Sequence, residues 1–385
     1  MNFRINSDFF EERNVNMKFT CNTKELSVAC NNVMRAVSTK VTIPTIEGIL
    51  IECGSDTLSL TGYDFEFGIN TILSVDVVEA GDIVINAKVF SNIINKLDDE
   101  NVTIETNGTS VSIISGAAQY NITGIDANDY PELPSVNNGE NFKFNQNQLR
   151  SMVNQTIFAV ADSESGNPVY TGLKFNISNG MFTLIGVDGF RLAIRKEAID
   201  YSGEEQDFIV PKKTIRELIK LIDDEDNDID VSIGKRHIVF EIGNYSIISR
   251  LLDGEFIDYR TAIPKAISTT VLINTVDAVN CINRTLPVIE NNQKNPIRCM
   301  FDNDQMRVST VSSLGRVVDY THANTSGERV EIGFNSKFIL DALNAADTDE
   351  VKIEIASPTS PVQIKPINGE GFIFLVLPMR LRNEN

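Results

Sequence analysis

Val210–Ile222 reads V-P-K-K-T-I-R-E-L-I-K-L-I, a short helix with basic residues on one side and apolar residues on the other. The pattern occurs three times. Ile85–Leu97 (I-N-A-K-V-F-S-N-I-I-N-K-L) and Phe334–Ala346 (F-N-S-K-F-I-L-D-A-L-N-A-A) carry it too. In each copy an apolar residue precedes Lys88, Lys213 or Lys337, and an apolar anchor follows two positions on, Phe90, Ile215 or Ile339. The copies start roughly 125 residues apart, a domain length and not a solenoid period, so the chain reads as three tandem domains.

Working outward, other landmarks keep the period. Thr61-Gly62-Tyr63-Asp64 matches Ile185-Gly186-Val187-Asp188, and Tyr120 matches Tyr245. Asn22-Thr23-Lys24-Glu25 resembles a capping box opening a helix, and further helices are expected at 145–161 and 276–285. Alternating apolar and polar runs bounded by Gly, Asn or Asp predict hairpins between the helices, among them 48–53, 58–63, 170–177, 181–187 and 191–196. Each repeat is then helix, hairpins, helix, hairpins. The expected fold is α+β: three tandem repeats, each with antiparallel sheets outside and two helices on one side. The expected domains are residues 17–142, 143–266 and 267–385, after an extension over 1–16 that lacks the patterning of the rest and is expected to be disordered.

With 385 residues, 42% hydrophobic and 23% charged, the composition is that of a globular chain. No apolar run reaches a membrane span, and the first residues lack a signal-peptide core, so a cytoplasmic protein is expected. Five cysteines without a C-x-x-C pair and only two histidines argue for buried reduced thiols and against zinc.

Catalytic constellations are not legible. His237 and His322 sit in or beside strands, and no phosphate loop occurs. Asp64 and Asp188 could be imagined as a carboxylate pair, yet they hold one position in two repeats, which favours a repeated turn. Neither enzyme activity nor a cofactor is expected.

Charge is more informative. The net charge of −19 argues against a nucleic-acid partner if evenly spread. It is not evenly spread. The helical windows carry Lys24, Arg35, Lys40, Lys88, Lys96, Arg150, Lys212, Lys213, Arg216, Lys220, Arg284 and Lys337 against Glu25, Glu217, Asp277 and Asp341. Gathered on one surface, the helices would present a positive stripe able to neutralise phosphates without reading bases; a merely solvated helix face is the alternative. The chain ends in Phe372–Leu381, an apolar strand running into Pro378 and Met379. It is either an edge strand or the wall of an apolar groove.

The three repeats, the segments Val187-Asp188-Gly189-Phe190-Arg191-Leu192-Ala193 and Leu252-Asp253-Gly254-Glu255-Phe256-Ile257-Asp258-Tyr259-Arg260, and the terminal Leu377-Pro378-Met379-Arg380-Leu381 together closely resemble the β subunit of bacterial DNA polymerase III, the sliding clamp family. The resemblance runs from Met17 to Leu381. It implies a head-to-tail homodimer closing a ring around double-stranded DNA, held without sequence preference. Its partners would be a replicative polymerase, a clamp loader ATPase and other proteins bearing clamp-binding peptides. By the same resemblance, Lys40, Lys88 and Arg150 would face DNA, with Lys212, Lys213, Arg216 and Lys220 added from their charge. Tyr120 of one chain would meet Val288 and Ile289 of the other. A peptide groove would take Tyr170, Val187, Gly189, Phe190, Arg191, Leu192, Ile257, Ala262, Leu375, Val376, Leu377, Pro378, Met379 and Arg380. The chain departs from the relative aligned with it in Phe190, where that protein has His, in Thr261 and Asn167, where it has Arg, and in the extra Arg382–Asn385.

Overall fold

The computed structural model describes residues 16–38, 43–136, 139–162, 166–223, 225–289 and 296–381. Three expectations therefore lie outside the described residues: the extension as far as residue 15, the DNA-facing Lys40, and the Arg382–Asn385 tail. Asn16, the last residue of the expected extension, is described, and its side chain accepts from the Gly108 N–H. Six α-helices among the described residues follow the predicted order: α1 (Thr23–Val33), α2 (Ala87–Ile94), α3 (Gln146–Asn154), α4 (Lys212–Leu221), α5 (Thr275–Asn283) and α6 (Ser336–Ala345). Asn22 caps α1, accepting from Lys24 and Glu25 N–H, and Asn86, Asn274 and Asn335 cap α2, α5 and α6 in the same way.

Two helix and strand expectations shift. The segment expected to be helical over 145–161 leaves the α-helix at Asn154 and continues as a 3-10 turn, Ile157–Ala159. The strand expected from Tyr170 starts at Gly172, because Pro168–Thr171 forms a 3-10 turn with Pro at its start, capped by Asn167. Strands entering four of the helices, Glu140–Asn145, Gln206–Pro211, Thr269–Asn274 and Val330–Phe334, add to the expected hairpins.

The chain packs as two compact units, although three repeats are written in it. The first comprises the described residues of Met1–Gln146 with Arg216–Arg250. It holds a five-stranded antiparallel sheet ordered Asp76–Glu79, Lys18–Asn22, Asn101–Asn107, Ser110–Ser115, Ala118–Thr123. Its eight-stranded sheet joins Glu140–Asn145, Asp228–Ile233, His237–Ile242 and Tyr245–Arg250 to Phe67–Ser74, Thr57–Tyr63, Gly48–Cys53 and Gly81–Asn86. Strands from the second repeat thus continue the sheet of the first, Ile247 pairing with Ile69. Helices α1 and α2 pack together, burying Leu26, Ala29, Val33, Phe90 and Ile94.

The second unit comprises the described residues of Asn147–Ile215 and Leu251–Asn385. Its nine-stranded sheet runs Gln206–Pro211, Gly172–Ser178, Met181–Val187, Arg191–Ala198, Phe372–Val376, Val362–Pro366, Glu350–Ile355, Thr269–Asn274, Asn324–Gly327. The terminal strand Phe372–Val376 is therefore interior, and its edge-strand reading is excluded. A four-stranded sheet, Gly315–His322, Gln305–Ser312, Ile297–Asp302 and Val330–Phe334, completes the unit, with α5 and α6 packed over Phe301, Phe334 and Phe374. All five cysteines are buried and unpaired, and burial pushes the Cys21 thiol up to about 12. Among the described residues no helix is long and apolar enough to cross a membrane.

Candidate functional site

A candidate site lies in the second unit, around the turn between Met181–Val187 and Arg191–Ala198. Asp188 makes that turn: its carboxylate accepts from the Phe190 N–H at 2.9 Å and the Arg191 N–H at 3.0 Å, with Gly189 at φ 90. Glycine supplies that backbone angle without side-chain conflict. Asp64 makes the same turn in the first repeat, accepting from Glu66 and Phe67, so both aspartates are turn formers.

Beyond this turn the chain end leaves the sheet. Leu192 pairs with Leu375, then the Leu377 N–H donates to the Phe190 carbonyl at 2.9 Å and the Met379 N–H to the Gly333 carbonyl at 2.8 Å. Val187, Leu192 and Leu375 join Val169, Ile185, Ile194, Ile209, Phe256 and Ile373 in one apolar cluster, on which Tyr170 and Ala262 lie half-buried. Tyr170 meets Phe256 edge-on at 5.6 Å. Around this floor Phe190 is 60% exposed, and Ile257 and Leu377 each 40%. Pro378 and Met379 are half-buried, and Arg380 is exposed. An apolar floor with an exposed apolar rim is suited to holding short apolar side chains of a partner.

Two predicted groove residues belong elsewhere. Val376 packs into the core under α5 and α6, and Arg191, its cross-strand neighbour, points the same way. Strand side chains alternate between faces, so residues adjacent to Leu375 and Leu192 must face away from them. The Arg191 side chain is 8% exposed, pairs with Asp188 at 2.9 Å, hydrogen-bonds Asp341, and lies 4.6 Å over the Phe338 ring and 5.5 Å over the Phe158 ring. Phe190 stacks on Phe338 at 5.9 Å. Arg191 thus holds the Asp188 turn from behind. Phe338 and Asp341 were not expected at this site, and the only signal for them was their closeness to Lys337 in the helix marker.

The basic residues sort similarly. On α4, Ile215 and Leu218 are buried, while Lys213, Arg216 and Lys220 are exposed. Their spacing places them on one helix face. Lys220 pairs with Glu217 at 2.8 Å. Lys212 does not join them, contrary to expectation: its ammonium donates to the Val160 carbonyl at 2.8 Å and pairs with Asp162 at 3.1 Å, and only 15% of the side chain is exposed. One residue along a helix is a turn of about 100°, which carries Lys212 off the Lys213 face. Lys88 is exposed on α2 and Arg150 half-buried on α3. At the sheet ends, Tyr120 is half-buried on Ala118–Thr123, and Val288 and Ile289 are half-buried beside a 3-10 turn, the Val288 carbonyl accepting from Ser312 at 2.5 Å.

Three repeats of two helices with antiparallel sheets, with cations on helix faces and an exposed apolar rim by the chain end, define a three-domain clamp. Models of the N-terminal, central and C-terminal domains of the DNA polymerase III beta subunit match residues 17–134, 143–258 and 260–380. The beta sliding clamp of Staphylococcus epidermidis is 32% identical over 375 residues, covering 94% of this chain and 99% of the relative. That of Bacillus subtilis is 30% identical over 377 residues, covering 94% and 100%. Among solved structures, the DNA polymerase sliding clamp from Bacillus subtilis superposes with a TM-score of 0.92 at 30% identity, covering 95% of this chain and 100% of that one. A DNA polymerase III beta subunit from Eubacterium rectale superposes with a TM-score of 0.90 at 33% identity, covering 94% and 99%. The chain belongs to the DNA polymerase III beta subunit family, the beta sliding clamps.

Proposed function

We propose that two copies of this chain close head to tail into a ring that encircles double-stranded DNA, and that the ring tethers a polymerase and other proteins through the groove of the second unit. Family membership supports the processivity role. The observation that carries the ring is a pair of open sheet edges. Ala118–Thr123 ends the five-stranded sheet and Gly315–His322 ends the four-stranded sheet, each with a row of backbone donors and acceptors that no strand among the described residues pairs. Beside the second edge Leu314 is 65% and Tyr320 52% exposed, apolar surface suited to cover by another copy. In this reading the Ala118–Thr123 edge of one chain extends the Gly315–His322 edge of the other, bringing Tyr120 toward Val288 and Ile289.

Lys88, Arg150, Lys213, Arg216 and Lys220 then contact phosphates, with Lys212 holding its own chain instead. Encirclement explains how a chain of net charge −19 serves DNA: a topological link needs little affinity, and weak phosphate contacts permit sliding. The protein has no chemistry of its own in this reading. Repeat boundaries at 17–142, 143–266 and 267–385 give each repeat two of the six helices.

Retention on DNA tests the proposal. Loaded by a partner ATPase, the ring should stay on nicked circular DNA and run off once the circle is linearised. Equal loss from both forms, or a monomeric mass at all concentrations, would overturn the ring.

A further inference from the structure

The turn that shapes the groove has a twin within the first unit. Asp64 accepts from the Glu66 N–H at 3.1 Å and the Phe67 N–H at 2.7 Å. What lies over this twin differs. Ala127 and Tyr130 close with Leu50, Tyr63 and Val84 into a buried cluster, Leu133 packs against it, and the Tyr130 hydroxyl donates to the Thr61 carbonyl at 3.1 Å. A Cβ on Gly68 would meet the Leu133 side chain at 2.8 Å. The floor is occupied by the chain's own side chains.

Above the floor stands Phe65, 47% exposed with φ 72. The other described non-glycine residues at positive φ are Asn179, Asn303 and Asp347, types that tolerate it; a bulky aromatic does not. Tyr63 meets the Phe65 ring edge-on at 5.8 Å, and its hydroxyl donates to the Phe65 carbonyl at 3.1 Å. Backbone strain that presents a ring to solvent, without the return of burial, points to a use for the ring.

A row of cations continues from it along the same sheet end. The Arg250 N–H donates to the Glu66 carbonyl at 2.8 Å, His237 lies opposite Arg250 in register, and Arg236 and Lys235 follow in the hairpin. Lys235, Arg236 and Arg250 are exposed and form no ion pair with a described residue. Burial first, then the charges of Arg250 and Arg236, hold the His237 pKa down, as expected where cations converge. Of the neighbouring carboxylates, Asp64 has its Oδ1 occupied by its own turn.

We propose that Phe65, Arg250, Arg236 and Lys235 form a site for single-stranded nucleic acid, with a base stacked on Phe65 and phosphates along the cations. A peptide would need troughs for its side chains, and here they are filled. A flexible polyanion with flat faces needs only a stacking platform and a line of charge. With strands about 4.8 Å apart, the row from the Phe65 turn to the hairpin spans roughly 10–15 Å, room for a few nucleotides.

Fluorescence anisotropy of a fluorescein-labelled oligothymidylate with the full chain at low salt tests this site. Phe65→Gly suits the positive φ and keeps the fold, and it should weaken binding at least about fivefold, the lower end of a lost base stack. The triple Lys235→Gln, Arg236→Gln, Arg250→Gln variant should weaken binding further and flatten its salt dependence. Oligomer binding unchanged in both variants would overturn the site. So would displacement of the oligomer from wild type by an equal concentration of a Glu- and Tyr-containing peptide, which would mark a peptide surface instead. Retention on circular DNA is not the readout, so failure here leaves the ring proposal standing.

Discussion

Arg191 and Asp341 are hydrogen-bonded across 150 residues of sequence, joining the Asp188 turn to helix α6. The guanidinium is held by Asp188 as well and lies over two aromatic rings, Phe338 and Phe158. Removing one partner of a largely buried pair leaves the other charges unmatched. Arg191→Ala should therefore destabilise the protein by about 3 kcal/mol in urea unfolding. Arg191→Lys should not restore it, because an ammonium cannot reproduce the planar two-carboxylate, two-ring arrangement. A variant as stable as wild type would show that this network contributes nothing.

The twin turns should respond unequally. Asp64→Ala removes hydrogen bonds to two N–H groups, whereas Asp188→Ala also strips a carboxylate from Arg191. We expect about 1–2 kcal/mol for the first and more for the second. Thermal unfolding of the two variants under one buffer gives the order, and equal losses would argue against the Arg191 link.

Partner binding should depend on the chain end. Met379→Ala and Leu377→Ala should each weaken a clamp-binding peptide by about 1–3 kcal/mol by calorimetry, the range for contact residues at an apolar site. Val376→Ala should act through stability instead, since its side chain lies in the core beneath α5 and α6. Unchanged peptide affinity in the first two variants would move the groove elsewhere.

On α4, Lys213→Ala and Arg216→Ala should each lower the salt dependence of duplex binding by about one unit of log–log slope. Lys212→Ala should leave that slope alone and lower the melting temperature, because its ammonium holds Val160 and Asp162. A slope change for Lys212 equal to that for Lys213 would contradict the geometry.

Glu354 gives a pH test. Burial alone would push its carboxyl pKa up, but the hydrogen bond from Lys365 and the charges of Lys365 and Lys352 hold it below the usual carboxylate value. A lowered folded pKa contributes stability that is present above the unfolded value, about 4.3, and is lost as pH falls through the folded one. The melting-temperature gap between wild type and Glu354→Gln should thus be widest near neutrality and close as pH drops below about 4. A gap that widens on acidification would reverse the assignment.

The sequence by itself determined the threefold repeat, the helix positions, the twin aspartate turns and the family, because each rests on local spacing: 3.6-residue and two-residue periods, caps and turn residues. What only the tertiary structure decided was which of two neighbouring residues faces which way, and which repeats share a sheet. Leu375 and Val376, or Lys212 and Lys213, are both plausible in a linear motif, and the pleat and the helical turn send them to opposite surroundings. The pairing of Tyr245–Arg250 with Phe67–Ser74, which makes two compact units out of three repeats, depends on edges meeting across about 180 residues, and no local pattern records that. Long-range packing likewise sets Tyr130 and Leu133 at the first twin turn and Val169 and Phe256 at the second.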